Sequence, residues 1–146
     1  MHKPDYVAEA GAWLLEHGHR ALLTLTGGRY PRRLLGMLTV ELHTVGRKSG
    51  KPYTNLLTSP VHDDNRIVVV ASKGGHQDHP DWYKNLRANP DVSLTVEGRT
   101  IPMRARTATG AERAELWAQV VKAYRGYEGY QRNTDREIPL VICEPR

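Results

Sequence analysis

The sequence predicts one mainly β domain, folded as a small closed or half-closed barrel with a helix at each end and one in the middle. Three observations predict this class. The chain of 146 residues has the size of one domain that buries a real core. Six short segments have the composition and spacing of strands, and most are joined by tight turns. Few long helices separate them, which favours a barrel.

The N-terminal segment, residues 1–25, is predicted to be helical. Apolar residues recur at helical spacing over residues 6–17, with Asp5 as a candidate N-cap and Gly18 as a stop. Residues 26–28, Thr-Gly-Gly, and Pro31 then predict a loop. We expect this segment to belong to the same domain as the rest of the chain, because no linker-like stretch separates them.

Three strands are predicted in the first half. From Leu38 the apolar period changes to two, which predicts a half-buried strand over residues 38–44. Residues 46–52 form a turn with a basic tip, and residues 53–61 return as the second strand of a hairpin. The continuous β-branched run at 66–71 is typical of a strand buried on both faces.

The second half combines helices and strands. Pro80 opens a short predicted helix over residues 80–88, which Asn89-Pro90 ends. Strands 92–96 and 100–106 flank a turn at 97–99, and a last strand covers 139–143. Thr109 and Glu112 have the spacing of a capping box. The helix that this box opens is predicted to bury Ala114, Trp117, Val120, Val121 and Tyr124.

Charge and composition narrow the class of partner. The net charge of +5 and the pI near 9.5 favour an anionic partner: nucleic acid, anionic lipid or a phosphorylated small molecule. The basic residues form short clusters, and the chain has no Phe, so nucleic acid is the weaker interpretation. No apolar run is long enough to span a membrane, and no signal peptide is evident. The single cysteine, Cys143, predicts a reducing, cytoplasmic compartment and a packed strand position.

Two basic loops flanked by glycine are the main candidate sites. In residues 46–51, Gly-Arg-Lys-Ser-Gly-Lys, the glycines allow close approach of backbone N–H groups, while three cations and a hydroxyl suit an anion. Alone, this loop is better explained as a solvated hairpin tip. Residues 71–75, Ala-Ser-Lys-Gly-Gly, add a hydroxyl, a cation and free amides at the end of a buried strand. The two loops together favour one shared anion.

Aromatic and histidine residues supply further candidates. Of Trp82 and Tyr83, adjacent on a helix, one is expected to pack in the core and the other to face a cleft. Three tyrosines, spaced by three on the last helix, are interpreted as the wall of a polar pocket in preference to a core stripe. These are Tyr124, Tyr127 and Tyr130. No metal site is predicted at His76, Asp78 and His79, because a closed zinc site normally needs four ligands.

These motifs together resemble the deazaflavin-dependent nitroreductase family, the F420-dependent reductases of actinobacteria. The resemblance rests on Gly-Arg-Lys-Ser-Gly at 46–50, Ala-Ser-Lys-Gly-Gly at 71–75, Pro-Asp-Trp-Tyr-Lys-Asn-Leu at 80–86 and Ala-Asn-Pro at 88–90. Residues 26–29 and 124–145 are also similar to the family. The resemblance implies a split β-barrel of the flavin-reductase and pyridoxamine-phosphate-oxidase type, with about six mostly antiparallel strands, that binds coenzyme F420.

The resemblance also implies the roles of individual residues. Hydride would pass from the reduced deazaflavin to a quinone, a nitroaromatic or an activated enone, with Tyr127 and Ser72 as catalytic candidates. Tyr124, Tyr127 and Tyr130 would form the substrate side. The cofactor-binding candidates, from the phosphate to the ring, are Arg47, Lys48, Ser49, Tyr53, Thr54, Asn55, Leu56, Leu57, Thr58, Val70, Ala71, Ser72, Lys73, Asp81, Trp82, Tyr83, Lys84, Asn85 and Tyr127.

The chain departs from the family at two positions. Tyr53 stands where the family often has arginine, and Leu56 where it often has proline, so affinity for the acidic tail of the cofactor is open. Weak peripheral contact with the inner face of the cell membrane is known in the family, but the mixed charges of the first helical segment do not favour it. Two alternative functions are a non-catalytic F420 carrier or sensor and an FMN-dependent reductase. The oligomeric state is left open.

Overall fold

The computed structural model describes residues 32–146. In this region eight strands form one antiparallel sheet, and three helices and a short 3-10 turn at Lys73–Gly75 connect them. The strands are β1 (Arg33–Leu34), β2 (Met37–Val45), β3 (Pro52–Ser59), β4 (Val61–Asp63), β5 (Arg66–Val70), β6 (Asp91–Val96), β7 (Arg99–Thr107) and β8 (Leu140–Pro145). The helices are α1 (Asp81–Ala88), α2 (Gly110–Ala123) and α3 (Gly126–Arg132).

The sheet curls into a barrel that is open along one side. Its order is β1-β2-β6-β7-β8-β5-β4, and β3 pairs with β2. Among residues 32–146, β3 has no ladder with β5, although the two strands approach each other. Ser59 bridges them near the end of β3, where its Oγ lies 2.6 Å from the Val68 carbonyl oxygen. The loop at 46–51 precedes β3 and the turn at 72–75 follows β5, and both contribute residues to the candidate site.

The predicted strands and middle helix are largely confirmed. The predicted strand 53–61 is interrupted at Pro60, which cannot donate to a ladder, so β3 and β4 are separate. The short strands β1 and β4 were not predicted, because two or three residues show no periodicity. The helix over residues 6–17 and the loop at 26–29 lie outside the described residues.

The core consists of two clusters on the two faces of the sheet. Residues of β5 contribute alternately to both clusters. Ile67 and Val69 face the barrel interior and α1, while Val68 and Val70 face α2 and α3. This confirms the prediction of a strand buried on both faces. Cys143 is also fully buried in the interior cluster, and burial raises the pKa of its thiol to about 12. The prediction that it is a packed strand residue is therefore confirmed.

Two predictions for α2 differ from the structure. Of the residues predicted to be buried, Val120 is confirmed and Ala114 is wrong because it is exposed, while the buried Leu116 was not predicted. Trp117, Val121 and Tyr124 are only half-buried. The capping box does not form. Thr109 makes no side-chain cap, and Glu112 instead accepts hydrogen bonds from Arg106 at 2.6 and 3.1 Å. Within residues 32–146 no helix is both long and apolar enough to cross a bilayer.

Candidate active site

A groove of about 370 Å³ lies beside the loop that precedes β3. The 46–51 loop, the start of β3, α1 and the turn at 72–75 enclose it. We call it the anion groove. Its lining residues are Gly46, Arg47, Lys48, Ser49, Tyr53, Thr54, Asn55, Lys73, Asp81, Trp82 and Asn85. All of these except Gly46 were predicted as cofactor-binding residues, and they come from four separate segments of the chain.

The 46–51 loop is closed by its own backbone. Gly46 N donates to the Lys51 carbonyl at 2.8 Å, and Gly50 N donates to the Gly46 carbonyl at 3.0 Å. Gly50 has a φ of +70°, in the left-handed region where glycine carries no Cβ penalty. Ser49 Oγ accepts from Lys51 N at 3.2 Å. The loop is therefore a structured hairpin tip that keeps Arg47 and Lys48 at the groove.

Asn85 anchors this loop to helix α1. Its side chain is 5% exposed, and its Oδ1 accepts from Arg47 N at 3.2 Å and from Arg47 Nη1 at 2.8 Å. Arg47 Nη2 also lies 3.5 Å from the exposed carboxylate of Asp81. One buried amide thus fixes both the backbone and the guanidinium of Arg47, so that this cation is held in the wall before any ligand binds.

Tyr53 occupies part of the groove wall. It is 47% exposed, and its hydroxyl lies 3.4 Å from Ser49 Oγ. A Cβ at position 46 would lie 2.7 Å from the Tyr53 ring and 2.6 Å from Ser49 Oγ. A larger residue at 46 would therefore displace the Ser49 and Tyr53 side chains, because the loop passes close to the tyrosine ring. Gly46 was predicted only to free the backbone, and in the structure it also lines the groove beside Tyr53.

The turn at 72–75 has an unusual backbone. Ser72 is right-handed helical, with φ −78° and ψ −38°, and Lys73, Gly74 and Gly75 follow with φ of +47°, +64° and +82°. A left-handed conformation costs a non-glycine residue about 1 kcal/mol, so Lys73 is strained. Successive right- and left-handed residues make a concavity of backbone N–H groups that suits an anion.

The same turn packs closely on α3. A Cβ at Gly75 would lie 2.5 Å from the Tyr130 carbonyl oxygen and 2.9 Å from Tyr130 Cα. Only glycine fits at this position. Ser72 is 3% exposed and, unlike Lys73, does not line the anion groove.

The three tyrosines form an aromatic cluster on the face of the sheet that α2 and α3 cover. The prediction that they lie along one helix is wrong. Helix α2 ends at Ala123, so Tyr124 lies in the connection, and Tyr127 and Tyr130 lie on α3. Their ring centroids are 5.3 to 6.5 Å apart, with the Tyr124–Tyr127 and Tyr127–Tyr130 pairs in edge-to-face contact.

Tyr127 is the buried member of this cluster. It is 5% exposed, and its hydroxyl lies 3.4 Å from Thr58 Oγ1 and 3.7 Å from Met37 Sδ. Burial raises the pKa of Tyr127 to about 12, so the phenol stays protonated at neutral pH. Burial and the neighbouring Tyr124 hydroxyl also raise the pKa of Tyr130. Tyr124 and Tyr130 are half-buried.

The remaining predicted cofactor residues divide between the two faces of the sheet. Val70 packs in the tyrosine-side cluster, whereas Leu57 and Ala71 pack in the barrel interior. Leu56 alternates with Leu57 along β3 and is also buried, so it lies on the tyrosine side. Trp82 lines the groove, as expected for one of the two adjacent aromatic residues.

The structure does not bring Tyr83 or Lys84 to the groove. Tyr83 is 4% exposed in the core, and its hydroxyl lies 2.9 Å from Thr107 Oγ1. Lys84 Nζ donates to Asp78 Oδ2 at 2.8 Å. Both side chains therefore support α1 and the neighbouring loop.

Arg136 is a residue near the site to which the sequence analysis gave no role. Its guanidinium donates to three backbone carbonyls of the segment that contains the 72–75 turn: Ser72 at 2.7 Å, His76 at 2.8 Å and Ala71 at 3.1 Å. Its Nη1 also lies 3.0 Å from His79 Nδ1. The Asp135-Arg136 pair was part of the family resemblance, and this was the only signal for it in the sequence.

The histidines of this segment make local contacts. His76 Nδ1 accepts from Asp78 N at 3.1 Å. Burial, followed by the charges of Arg136 and Arg87, lowers the pKa of His79, so its ring is a neutral acceptor for Arg136. In the part of the chain that the structure describes, no three His, Cys, Asp or Glu side chains are grouped so that they could hold a metal ion.

Comparison with known proteins identifies the family of this chain. The family model described as F420H(2)-dependent quinone reductase matches residues 16–145. The F420H(2)-dependent quinone reductase Rv1261c of Mycobacterium tuberculosis is 37% identical over 133 residues, which cover 88% of this chain and 88% of that protein.

Two solved structures are also similar. One, described as an F420-H2 dependent reductase (FDR-A), is 42% identical with a TM-score of 0.66, and the match covers 73% of this chain and 93% of that one. The other, described as a domain-swapped dimer, is 37% identical with a TM-score of 0.69, and the match covers 92% of this chain and 99% of that one. The predicted fold class, a mainly β split barrel, is confirmed by the curled antiparallel sheet and by the first of these structures. The family model and the relatives show that this chain belongs to the F420H(2)-dependent quinone reductase family.

Proposed function

We propose that this chain is an F420H2-dependent reductase whose anion groove holds the phosphate and the start of the acidic tail of the cofactor. One observation carries the proposal. Cations from two distant loops, Arg47 and Lys48 from one and Lys73 from the other, line the same groove. A hydroxyl from Ser49 and a run of left-handed residues at 73–75 accompany them. This donor set fits a phosphorylated ligand.

Other predicted residues fit the ribityl chain and the deazaflavin ring of F420. Asn55 and Trp82 line the groove with polar and apolar surface, which suits the ribityl chain. Leu56, Thr58 and Val70 lie on the tyrosine side, where they would contact the ring. Tyr83 and Lys84 would act indirectly, by supporting α1. When bound in its reduced form, the deazaflavin supplies a hydride from carbon 5.

Tyr127 and Ser72 are the residues that we propose for proton chemistry. The Tyr127 hydroxyl is buried and protonated at neutral pH, and its contacts with Thr58 and Met37 are long, at 3.4 and 3.7 Å. Such a group can donate a hydrogen bond or a proton to a developing oxyanion on the acceptor. Tyr124 and Tyr130 flank it and would contact the acceptor directly.

The acceptor is proposed to be a quinone, in line with the family, and nitroaromatics and activated enones are secondary candidates. The reductase is expected to act in the cytoplasm on a small molecule and to need no nucleic acid. We propose that the whole chain forms one deazaflavin-binding domain. Peripheral membrane contact has no support in the described residues.

A titration combined with a turnover assay tests the proposal. The purified protein is titrated with oxidised F420 and separately with FMN while cofactor fluorescence is followed, and F420H2 oxidation is then measured with menadione. We expect F420 to bind more tightly than FMN and menadione to be reduced. Tight F420 binding without turnover on quinones or nitroaromatics would indicate a carrier, and preference for FMN would refute the cofactor assignment.

A further inference from the structure

The segment from Ala71 to His79 connects the two halves of the proposed site. It contributes Lys73 to the anion groove at one side and packs Gly75 against Tyr130 at the other. Its backbone is left-handed at three successive positions, one of which is not glycine. Such a backbone persists only where the surroundings determine it. The groups that hold it therefore influence where Lys73 lies.

Arg136 makes four side-chain contacts with this segment. Its five N–H donors form a rigid planar fork, and they serve the carbonyls of Ala71, Ser72 and His76 together with His79 Nδ1. These acceptors stand on both sides of the left-handed residues. A lysine has a single nitrogen and cannot serve all four acceptors.

The Arg136 backbone is itself held in place. Gln131 Nε2 donates to its carbonyl at 2.8 Å, and Thr134 Oγ1 accepts from its N–H at 3.3 Å. A second bridge runs parallel to the guanidinium, because Gln77 Nε2 donates to the Asn133 carbonyl at 3.2 Å and Thr134 Oγ1 lies 3.1 Å from Gln77 Oε1. These hydrogen bonds thus connect α3 and the residues after it to the segment that contains the turn.

We propose that Arg136 is a positioning residue for the cofactor site: it fixes the turn at 72–75 so that Lys73 stays at the anion groove while the turn stays packed on α3. Arg136 does not line the groove, so it acts through the turn and not by touching the anion. The expected effect on cofactor affinity rests on the proposed function. The effect of Arg136 on the order of the turn does not.

The test uses Arg136→Met, which keeps an apolar stem and removes the fork. Arg146→Met is a matched control, because Arg146 also donates to two carbonyls, Met103 at 2.8 Å and Val92 at 3.0 Å, on strands β7 and β6 away from the turn. Hydrogen exchange of the amides at 71–79 is measured without cofactor. F420 affinity is then measured by fluorescence on each variant.

We expect Arg136→Met to accelerate exchange at 71–79 and to raise the Kd for F420 by about tenfold or more, the effect of losing one charge-assisted contact. Arg146→Met should change neither. Arg136→Lys should fall between wild type and Arg136→Met, and it becomes the test variant if Arg136→Met does not fold.

Unchanged exchange at 71–79, or an F420 Kd within about twofold of wild type in the folded variant, would overturn the proposal. If the wild-type protein itself does not bind F420, the proposed function fails. The exchange measurement still decides whether Arg136 positions the turn.

Discussion

Replacing Asn85 by alanine should detach the 46–51 loop from helix α1. Asn85 Oδ1 is the acceptor for both the backbone N–H and the guanidinium of Arg47, and the residue is 5% exposed. Alanine fits the helix at this position without strain, so the change removes the acceptor and little else. The backbone N–H of Arg47 then lacks its buried partner.

The magnitude follows from the two contacts. A neutral hydrogen bond contributes about 1 kcal/mol and one to a charged group about 2 kcal/mol, which gives roughly 3 kcal/mol as an upper bound. The Arg47 side chain is 27% exposed and can regain water, so about 2 kcal/mol is the better expectation. If half of this loss falls on the bound state, the Kd for F420 rises by about fivefold, and if all of it does, by about thirtyfold.

Asn85→Asp is the informative partner variant. A carboxylate keeps the acceptor and strengthens the contact with Arg47, but it places a negative charge beside an anion site. The expected result is wild-type stability or better with weaker F420 binding, whereas Asn85→Ala weakens both. Thermal unfolding and F420 fluorescence titration on the two variants separate the effects. F420 affinity in Asn85→Ala within about twofold of wild type would refute the anchoring role of Asn85.

Three further predictions concern the turn and the tyrosines. Lys73→Gly should raise the free energy of unfolding by up to about 1 kcal/mol, because it relieves a strained left-handed residue. The same variant should bind F420 more weakly, because a cation is lost. A loss of both stability and affinity, or a gain of both, would contradict this prediction. Tyr127→Phe should lower the turnover of menadione more than F420 affinity, with little change in melting temperature, and unchanged turnover would remove Tyr127 from the mechanism. The pKa of His79 is below its ordinary value of 6.5 in the folded protein, because of burial and then Arg136. The unfolded chain therefore binds the proton more readily, and stability should fall as pH drops below about 6.5; His79→Gln should remove that component in pH-dependent thermal unfolding.

The regular part of the fold was predictable from local patterns. The period of two from Leu38 predicts β2, because alternation along a strand follows directly from its geometry. The apolar run at 66–71 predicts a strand with two buried faces, and β5 contributes to both hydrophobic clusters. The turn between β6 and β7 was also predicted, from the residues Glu-Gly-Arg at 97–99 between two strands. In the structure Glu97 and Gly98 both have positive φ, as a tight hairpin turn requires.

Helices α2 and α3 were predicted less well than α1, because their ends depend on tertiary contacts. Glu112 has the spacing of a capping residue, but Arg106 on β7 takes its carboxylate, and the capping box is lost. The tyrosine spacing predicted one helix, yet the chain turns after Ala123. The Tyr124 ring packs over Gly126, where a Cβ would lie 2.4 Å from the ring. A period of three cannot distinguish one helix from two that pack side by side.

In the candidate site, too, local features were predictable and long-range contacts were not. Glycine and basic residues identified the two loops, and the structure brings both to one groove. The contacts that hold the loops were not predictable, because Asn85 and Arg47 are 38 residues apart and Arg136 and Ser72 are 64 residues apart. Local propensity contains no information about such pairs.

The affinity ratio between F420 and its phosphate-free fragment, the deazaflavin ring with its ribityl chain alone, is the most direct test of the account. The anion groove is expected to recognise the phosphate and the acidic tail, so F420 should bind about 100-fold more tightly than the fragment at low salt, the effect of two charge-assisted contacts. Salt and the variant Lys73→Gly should reduce that ratio. Equal affinity for F420 and the fragment, insensitive to salt, would contradict the assignment of the groove.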